Sequence, residues 1–456
     1  MEPKEENWED SVLVDPIRRT SRRFFVTAFG LLILVGLGLF AWSYQLVNGL
    51  GVTGLNRPVY WGVYITNFVF FIGISHAGTL ISAILRLTRA EWRRSITRAA
   101  EVITVLVLYF GAANIILDLG RPDRLLNVFK HTQFRSPLIW DVISISAYLT
   151  ASTIYLYLPL IPDIAIMRDR LKQRRWLYRI LALGWQGTQR QRRLLHIGIS
   201  IMAVLVIPVA VSVHTVVSWV FGMTIQPMWH STIFGPYFVI GAIFSGIAAL
   251  IVAMAIIRKS YHLENYLKPI HFNNLGLLLL VMVCAWTYFT FAEYLTVYYG
   301  QEPAEMTVFF TKWSGRYAPQ FWAMVLFNLV IPFILLCNRR TRTIIGTVIA
   351  SISVSIGMWL ERFTIVVPTL INPRLPYERG VYNATWVEIF LTVGAFAGFG
   401  LLYMLFTKLF PIVSIWEVQE GRETAVKEAE ERIKDYLPGE EKKIDVWPSG
   451  LKAKRR

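Results

Sequence analysis

Residues Phe24 to Val47 read FFVTAFGLLILVGLGLFAWSYQLV, a stretch without a single charge. At a rise of about 1.5 Å per residue, a helix of this length crosses a hydrocarbon layer roughly 30 Å thick. The preceding Ser21-Arg22-Arg23 resembles a twin-arginine export signal, but no small-residue cleavage site follows the run. The stretch is therefore expected to remain as a first transmembrane helix.

Working outward, the same test is met by residues 59–85, 99–117, 138–162, 196–220, 234–257, 273–299, 319–337, 343–367 and 385–410. Ten spans follow, and the fold class expected is an all-α polytopic membrane protein. The composition agrees: 55% of the 456 residues are hydrophobic and only 17% are charged. Sixteen Trp and twenty Tyr suit two interfacial belts. The net charge of +16 does not point to nucleic acid, because the basic residues fall between apolar runs instead of forming one solvated patch.

Those charges set the expected topology. The segments before the first span, after the second, fourth, sixth and eighth, and after the tenth carry 36 of the 46 Lys and Arg when Lys408 at the end of the tenth span is counted with them, and the other loops carry 9. The basic set is expected to be cytoplasmic, with both termini, in a plasma or inner membrane. The expected organisation is a cytoplasmic segment 1–23, a first helix and outer loop 24–58, four spans in 59–220, four more in 221–367, a tenth helix with its outer loop 368–410 and a cytoplasmic tail 411–456. Residues 417–435, rich in Glu, Lys and Ala, read as a peripheral helix.

Ionisable residues inside a bilayer are costly, so each is a functional candidate. The candidates are His76, Asp118, Asp141, His214, Glu293, Glu361, Arg362 and Glu388. All but His76 fall toward the outer side, which suggests a polar cavity opening outward. Oxidation of a quinol releases two protons and two electrons, so its site needs an apolar slot and acceptors at the two hydroxyls. Asp118 and Asp141, at facing ends of the third and fourth spans, suit that role, and Asn67 could bond a carbonyl. A helix-end carboxylate paired with Arg121 or Arg124 explains Asp118 equally well. His76, among small residues, and His214 read either as relay or pocket groups or as buried structural histidines. Glu361 and Arg362 point about 100° apart on a helix and are expected to meet different partners.

Other signals carry little. Cys284 and Cys337 form no CxxC, so no iron–sulfur cluster or metal is expected on the chain itself. Two histidines on facing helices could ligate a haem, but His76 and His214 are read at different depths, so no haem is expected. Gly49-x-Gly51-x-x-Gly54 follows no strand and reads as a turn-rich loop.

Asp118-Leu119-Gly120-Arg121-Pro122, Ser136-Pro137-Leu138-Ile139-Trp140-Asp141 and Trp359-Leu360-Glu361-Arg362-Phe363 resemble the NrfD/PsrC membrane subunits of molybdopterin and related iron–sulfur oxidoreductases. The stretches Gly54–Gly62, Ile65–Val69, His76–Leu85, Leu160–Asp163, Ser212–His214, Trp229–Phe234 and Gly357–Arg362 are more similar to the ActC-type quinol-binding subunits of alternative complex III. The likeness covers roughly residues 50–410.

The resemblance implies two four-helix bundles, 59–220 and 221–367, with two flanking helices, and quinol or menaquinol as substrate in the first bundle near the outer face. It places Asp118 and Asp141 at the quinol site, as the catalytic pair, and His76, Glu361 and Arg362 among the polar residues of the bundles. Together with the reading of the residues, the expected quinol contacts are Asn67, His76, Asp118, Asp141 and His214, and the expected proton route is His76, Glu293, Glu361 and Arg362. The implied partners are an outer iron–sulfur subunit of molybdopterin-enzyme type, multihaem cytochrome c subunits and a second NrfD-like membrane subunit. The chain departs from the ActC pattern, which has His where Asp118 stands and an Asp near Trp219. The alternatives are a molybdopterin-enzyme anchor of polysulfide reductase type, the sister subunit ActF and, more distantly, a secondary transporter.

Overall fold

The computed structural model describes residues 8–18, 20–88 and 90–436. These residues form helices and connecting turns, with no strand among them. Among the described residues, ten helices are long and apolar enough to cross a membrane: α1 (Arg22–Asn48), α2 (Val63–Leu87), α3 (Thr97–Asp118), α4 (Pro137–Arg170), α5 (Gln189–Gly222), α6 (Phe234–Ser260), α7 (Pro269–Gly300), α8 (Ala318–Cys337), α9 (Ile344–Ile371) and α10 (Trp386–Leu409). Each expected span has its helix. The helices α4 and α5 run seven or eight residues past the apolar runs at the end of the molecule that holds the arginine-rich segment 168–193. Hydropathy ends where the lipid ends, whereas backbone hydrogen bonding continues into water.

The first unit runs to Ile415 and the second begins at Trp416. The second unit's described part belongs to the helix Ile415–Tyr436, as its Glu, Lys and Ala content leads one to expect.

Glycine contacts explain two of the helix pairs. A Cβ built on Gly38 in α1 would lie 3.0 Å from the Cα of Gly394 in α10, so the two backbones touch where neither residue has a side chain. In α2, a Cβ at Gly78 would collide with the Ala100 carbonyl and Thr104 Oγ1 of α3. The Gly78 amide instead donates to Thr104 Oγ1 at 2.9 Å.

Two helices are broken in ways that a membrane permits only with replacement partners. The helical ladder of α2 is interrupted at Ser75, between Val63–Ile74 and His76–Leu87. The Ser75 carbonyl accepts from Thr104 Oγ1 at 2.5 Å and from the Tyr148 hydroxyl at 3.1 Å, one donor each from α3 and α4. In α8, a π-turn at Leu326–Val330 precedes Pro332, which has no N–H to offer the carbonyl four residues back.

The end bearing the basic segments, here the basic end, is closed by a buried ion pair. Arg98 of α3 meets Asp163 of α4, both fully buried. Arg98 also donates to the Pro159 carbonyl at 2.7 Å and Ser414 Oγ at 3.1 Å, and Asp163 accepts from the Ile415 amide at 3.2 Å. At the opposite end, Glu388 of α10 accepts from the Gly54 amide at 2.7 Å, the Thr385 amide at 2.9 Å and the Tyr382 hydroxyl at 2.5 Å. Glu388 is thus a capping and loop-fastening residue.

Candidate functional site

The break at Ser75 places His76 in the interior. Its ring meets that of His214 from α5, with centroids 3.9 Å apart and planes at 73°. Both residues are buried, and none of their four ring nitrogens has a well-formed hydrogen bond. The sequence reading put the two at different depths, and the structure corrects it. Side chains lean toward the N-terminus of their own helix, and α2 and α5 are antiparallel, so the two rings lean toward each other. A haem iron ligated by one imidazole on each face would hold these rings farther apart.

Beside the pair lies Arg362 of α9. Its guanidinium packs 5.0 Å over the Phe238 ring and 2.9 Å from the Glu361 carboxylate. Glu361 and Arg362 do meet different partners, Trp286 and Phe238, but their charged ends also pair with each other, which was not expected. Glu361 Oε1 also accepts from the Trp286 indole N–H at 2.5 Å. Room for the guanidinium comes from Gly241 of α6, where a Cβ would lie 2.7 Å from it.

Polar groups continue from this centre in both directions. Toward the opposite end, Tyr237 and Tyr294 stand between Glu361 and the buried Glu293, with Thr290 Oγ1 at 3.5 Å from the Tyr237 hydroxyl. Glu293 and Lys312 line a cavity of about 20 Å³ with Tyr237 and Tyr294, the size that holds a single water. Burial lowers Lys312 to about 8, an effect that the charge of Glu293 opposes. Toward the basic end, His76 stacks edge-on against Tyr148 at 5.8 Å, and Tyr148 bonds Thr79. One turn further, Ser82 donates to Glu101 at 2.7 Å and lies 3.2 Å from the Tyr155 hydroxyl.

Sequence reasoning missed Tyr148, Tyr155, Lys312 and Glu101. Glu101 is 2% exposed and lies within the apolar run 99–117, where a lone carboxylate was signal enough. The tyrosines gave no signal, because interfacial tyrosines are common in such chains.

Asp118 ends α3. Its surroundings include Glu388 and Tyr64, and its Oδ1 is buried without a partner. Tyr64 donates to Gln45 Oε1 at 2.6 Å, and Gln45 donates to the Leu117 carbonyl at 2.8 Å. Pairing of Asp118 with Arg121 does not occur, since Arg121 holds Asp123 at 2.8 and 3.0 Å. That exposed pair lowers the Asp123 carboxyl. Asp141 lies in the first turns of α4, 8% exposed, and its Oδ1 likewise lacks a partner. No contact among the described residues joins Asp118 to Asp141. The segment between them exposes Leu119, Leu126, Phe129, Phe134 and Leu138 together with Arg121, Asp123, Arg124, Lys130, His131 and Arg135.

Asn67 is committed elsewhere. Its amide donates to Thr392 Oγ1 at 2.9 Å, and its oxygen accepts from the Trp359 indole at 2.9 Å. It thereby ties α2 to α9 and α10. Trp359 and Thr392 in turn line an apolar groove of about 560 Å³ with Phe70, Ile356 and Phe396. The expected outward cavity is thus divided. Asp118 lies beside Glu388 and Tyr64, Asp141 stands apart from it at the start of α4, Glu293 and Lys312 share a small cavity, and the histidine pair lies beside Arg362 and its partner Glu361.

A family model described as polysulphide reductase, NrfD, matches residues 51–373. A putative dimethyl sulfoxide reductase membrane subunit of Halobacterium salinarum is 31% identical over 245 residues, 51% of this chain and 54% of that protein. The match thus spans about half the length of that relative. The Hdr-like menaquinol oxidoreductase integral membrane subunit of Archaeoglobus fulgidus is 24% identical across 89% of this chain and 97% of its own length. A selenate reductase subunit of Mesobacillus selenatarsenatis is 24% identical over 80% of this chain and 86% of that protein.

Proposed function

Because the chain belongs to the NrfD polysulphide reductase family, we propose that it is the quinol-oxidising membrane subunit of an electron-transfer complex of the alternative complex III type. The observation that carries this reading is the pair of buried, unpartnered carboxylate oxygens on Asp118 and Asp141, on either side of a segment with exposed Leu and Phe side chains. A carboxylate oxygen without a donor in the protein is a base held for a donor from outside it. A menaquinol hydroxyl, brought in through lipid, is such a donor. The near full-length likeness to a subunit named as part of a menaquinol oxidoreductase supports the same substrate.

In this reading the basic end is cytoplasmic, with both termini, and the carboxylates face the outside. Residues 59–220 form the quinol-binding bundle and residues 221–367 a second one. Asp118 and Asp141 take the two protons. The two electrons leave to an iron–sulfur subunit docked on the outer face, and onward to multihaem cytochrome c subunits, with a second NrfD-like subunit in the same complex. The string Glu293, Glu361, Arg362, His214, His76, Tyr148, Ser82 and Glu101 is a route along which protons cross the chain. Asn67 acts through Trp359 and Thr392, shaping the bundle instead of touching quinol. The redox centres of the reaction belong to the partner subunits.

The test is Asp141→Asn in the assembled complex. Quinol oxidation is expected to fall at least about a hundredfold, as for loss of a proton-transfer group. Unchanged turnover rejects the assignment. A second reading, an anchor for a molybdopterin oxidoreductase, rests on the likeness to the dimethyl sulfoxide and selenate reductase subunits. Co-purification with a molybdopterin subunit, without multihaem cytochrome c, would establish it.

A further inference from the structure

Outside the Glu293–Lys312 cavity, three side chains converge that the proton route does not use. His230 precedes α6, and Glu302 and Glu305 lie at the start of the short helix Pro303–Trp313. His230 Nε2 lies 3.2 Å from Glu305 Oε1, and the ligating atoms of all three residues lie within 4.8 Å of one another. We propose that His230, Glu302 and Glu305 form a binding site for a divalent transition-metal ion of the Zn²⁺ class, set over the mouth of that cavity. One imidazole and two carboxylates, with a fourth position left to water, are a ligand set that Zn²⁺ accepts.

A second observation points to a cation at this place. Glu293, directly inward, is 4% exposed, and neither of its carboxylate oxygens has a well-formed hydrogen bond. It faces Ser231, Lys312, Glu305 and His230. A buried carboxylate needs a positive partner. Lys312 supplies a single charge, one that burial makes costly to hold, lowering the group to about 8. A doubly charged ion bound by the three outer side chains would act on Glu293 across a short, poorly hydrated gap.

Arg374 competes for the site, donating to Glu302 Oε1 at 3.1 Å. The two side chains of that pair are 48% and 40% exposed, and an ion pair so exposed is easily given up. The second carboxylate oxygen of Glu302 takes no part in it. This site departs from the expectation, drawn from cysteine spacing, that the chain binds no metal: the ligands are one histidine and two glutamates from separate segments.

The experiment uses the full chain purified in its complex and treated with a chelator. Equilibrium dialysis against Zn²⁺ with elemental analysis, and absorption spectra with Co²⁺ as a probe, are run on the wild type, His230→Ala, Glu305→Gln and His131→Ala. The expected result is one ion per chain at micromolar Zn²⁺. His230→Ala and Glu305→Gln should weaken it at least about tenfold, and His131→Ala, whose side chain lies elsewhere, should keep it. A wild type that binds no stoichiometric Zn²⁺, or binding unchanged in both ligand variants, overturns the proposal. Binding is read without quinol turnover, so this result and that of Asp141→Asn stand independently.

Discussion

The imidazoles of His76 and His214 touch edge to face, 3.9 Å between centroids, on two antiparallel helices. They form the junction between the polar groups of α2–α4 and those around Glu361. Two buried rings in contact cannot both be imidazolium at low cost, because like charges at that separation repel in a medium of low dielectric. The pair therefore carries at most one positive charge at a time, as the proposed proton route requires.

That relay has a direct test. His76→Leu comes close to the imidazole in volume but removes both nitrogens. Since neither nitrogen makes a well-formed hydrogen bond, stability should change by no more than about 1.5 kcal/mol. Proton release coupled to quinol oxidation should fall at least about tenfold, measured with a pH dye in proteoliposomes. Normal proton release would remove His76 from the route.

Close packing at the same level yields a second expectation. Gly78→Ala places a methyl group against the Ala100 carbonyl and Thr104 Oγ1. Backbone cannot give way there, because the break at Ser75 depends on the same threonine. A loss of about 3 kcal/mol is expected, seen as a lower melting temperature of the detergent-solubilised protein. Gly30→Ala in α1, with open space around it, should be neutral or raise stability by up to about 1 kcal/mol.

Lys312 predicts a pH dependence with a definite sign. Burial lowers it from an ordinary value of 10.5 to about 8, so between these pH values the unfolded chain holds a proton that the folded chain lacks. Stability contributed at this residue then rises as pH increases from 8 to 10.5, and the cost of charging Lys312 is fully present below 8. A shift of that size corresponds to about 3 kcal/mol at most. Thermal melts of the wild type and Lys312→Met should diverge across this window, with the wild type gaining relative to the variant as pH rises. Parallel melts would mean that Lys312 stays charged throughout.

Ten spans and their order were legible in the sequence because a bilayer imposes one simple demand: about 20 apolar residues for each crossing. The run Phe24–Val47 answers it without reference to any other part of the chain. Ionisable residues inside those runs were equally visible, since composition alone makes them exceptional. Their partners were not. Whether Asp118 meets Arg121, whether Glu361 turns back onto Arg362, and whether His76 reaches His214 depend on helix tilt, on side-chain lean and on glycines such as Gly78 and Gly241 that admit a neighbour. Hydropathy is a local sum along the chain and carries none of that. The polar centre joins residues far apart in the chain, such as His76 with His214 and Trp286 with Glu361, and only packing in three dimensions brings them together.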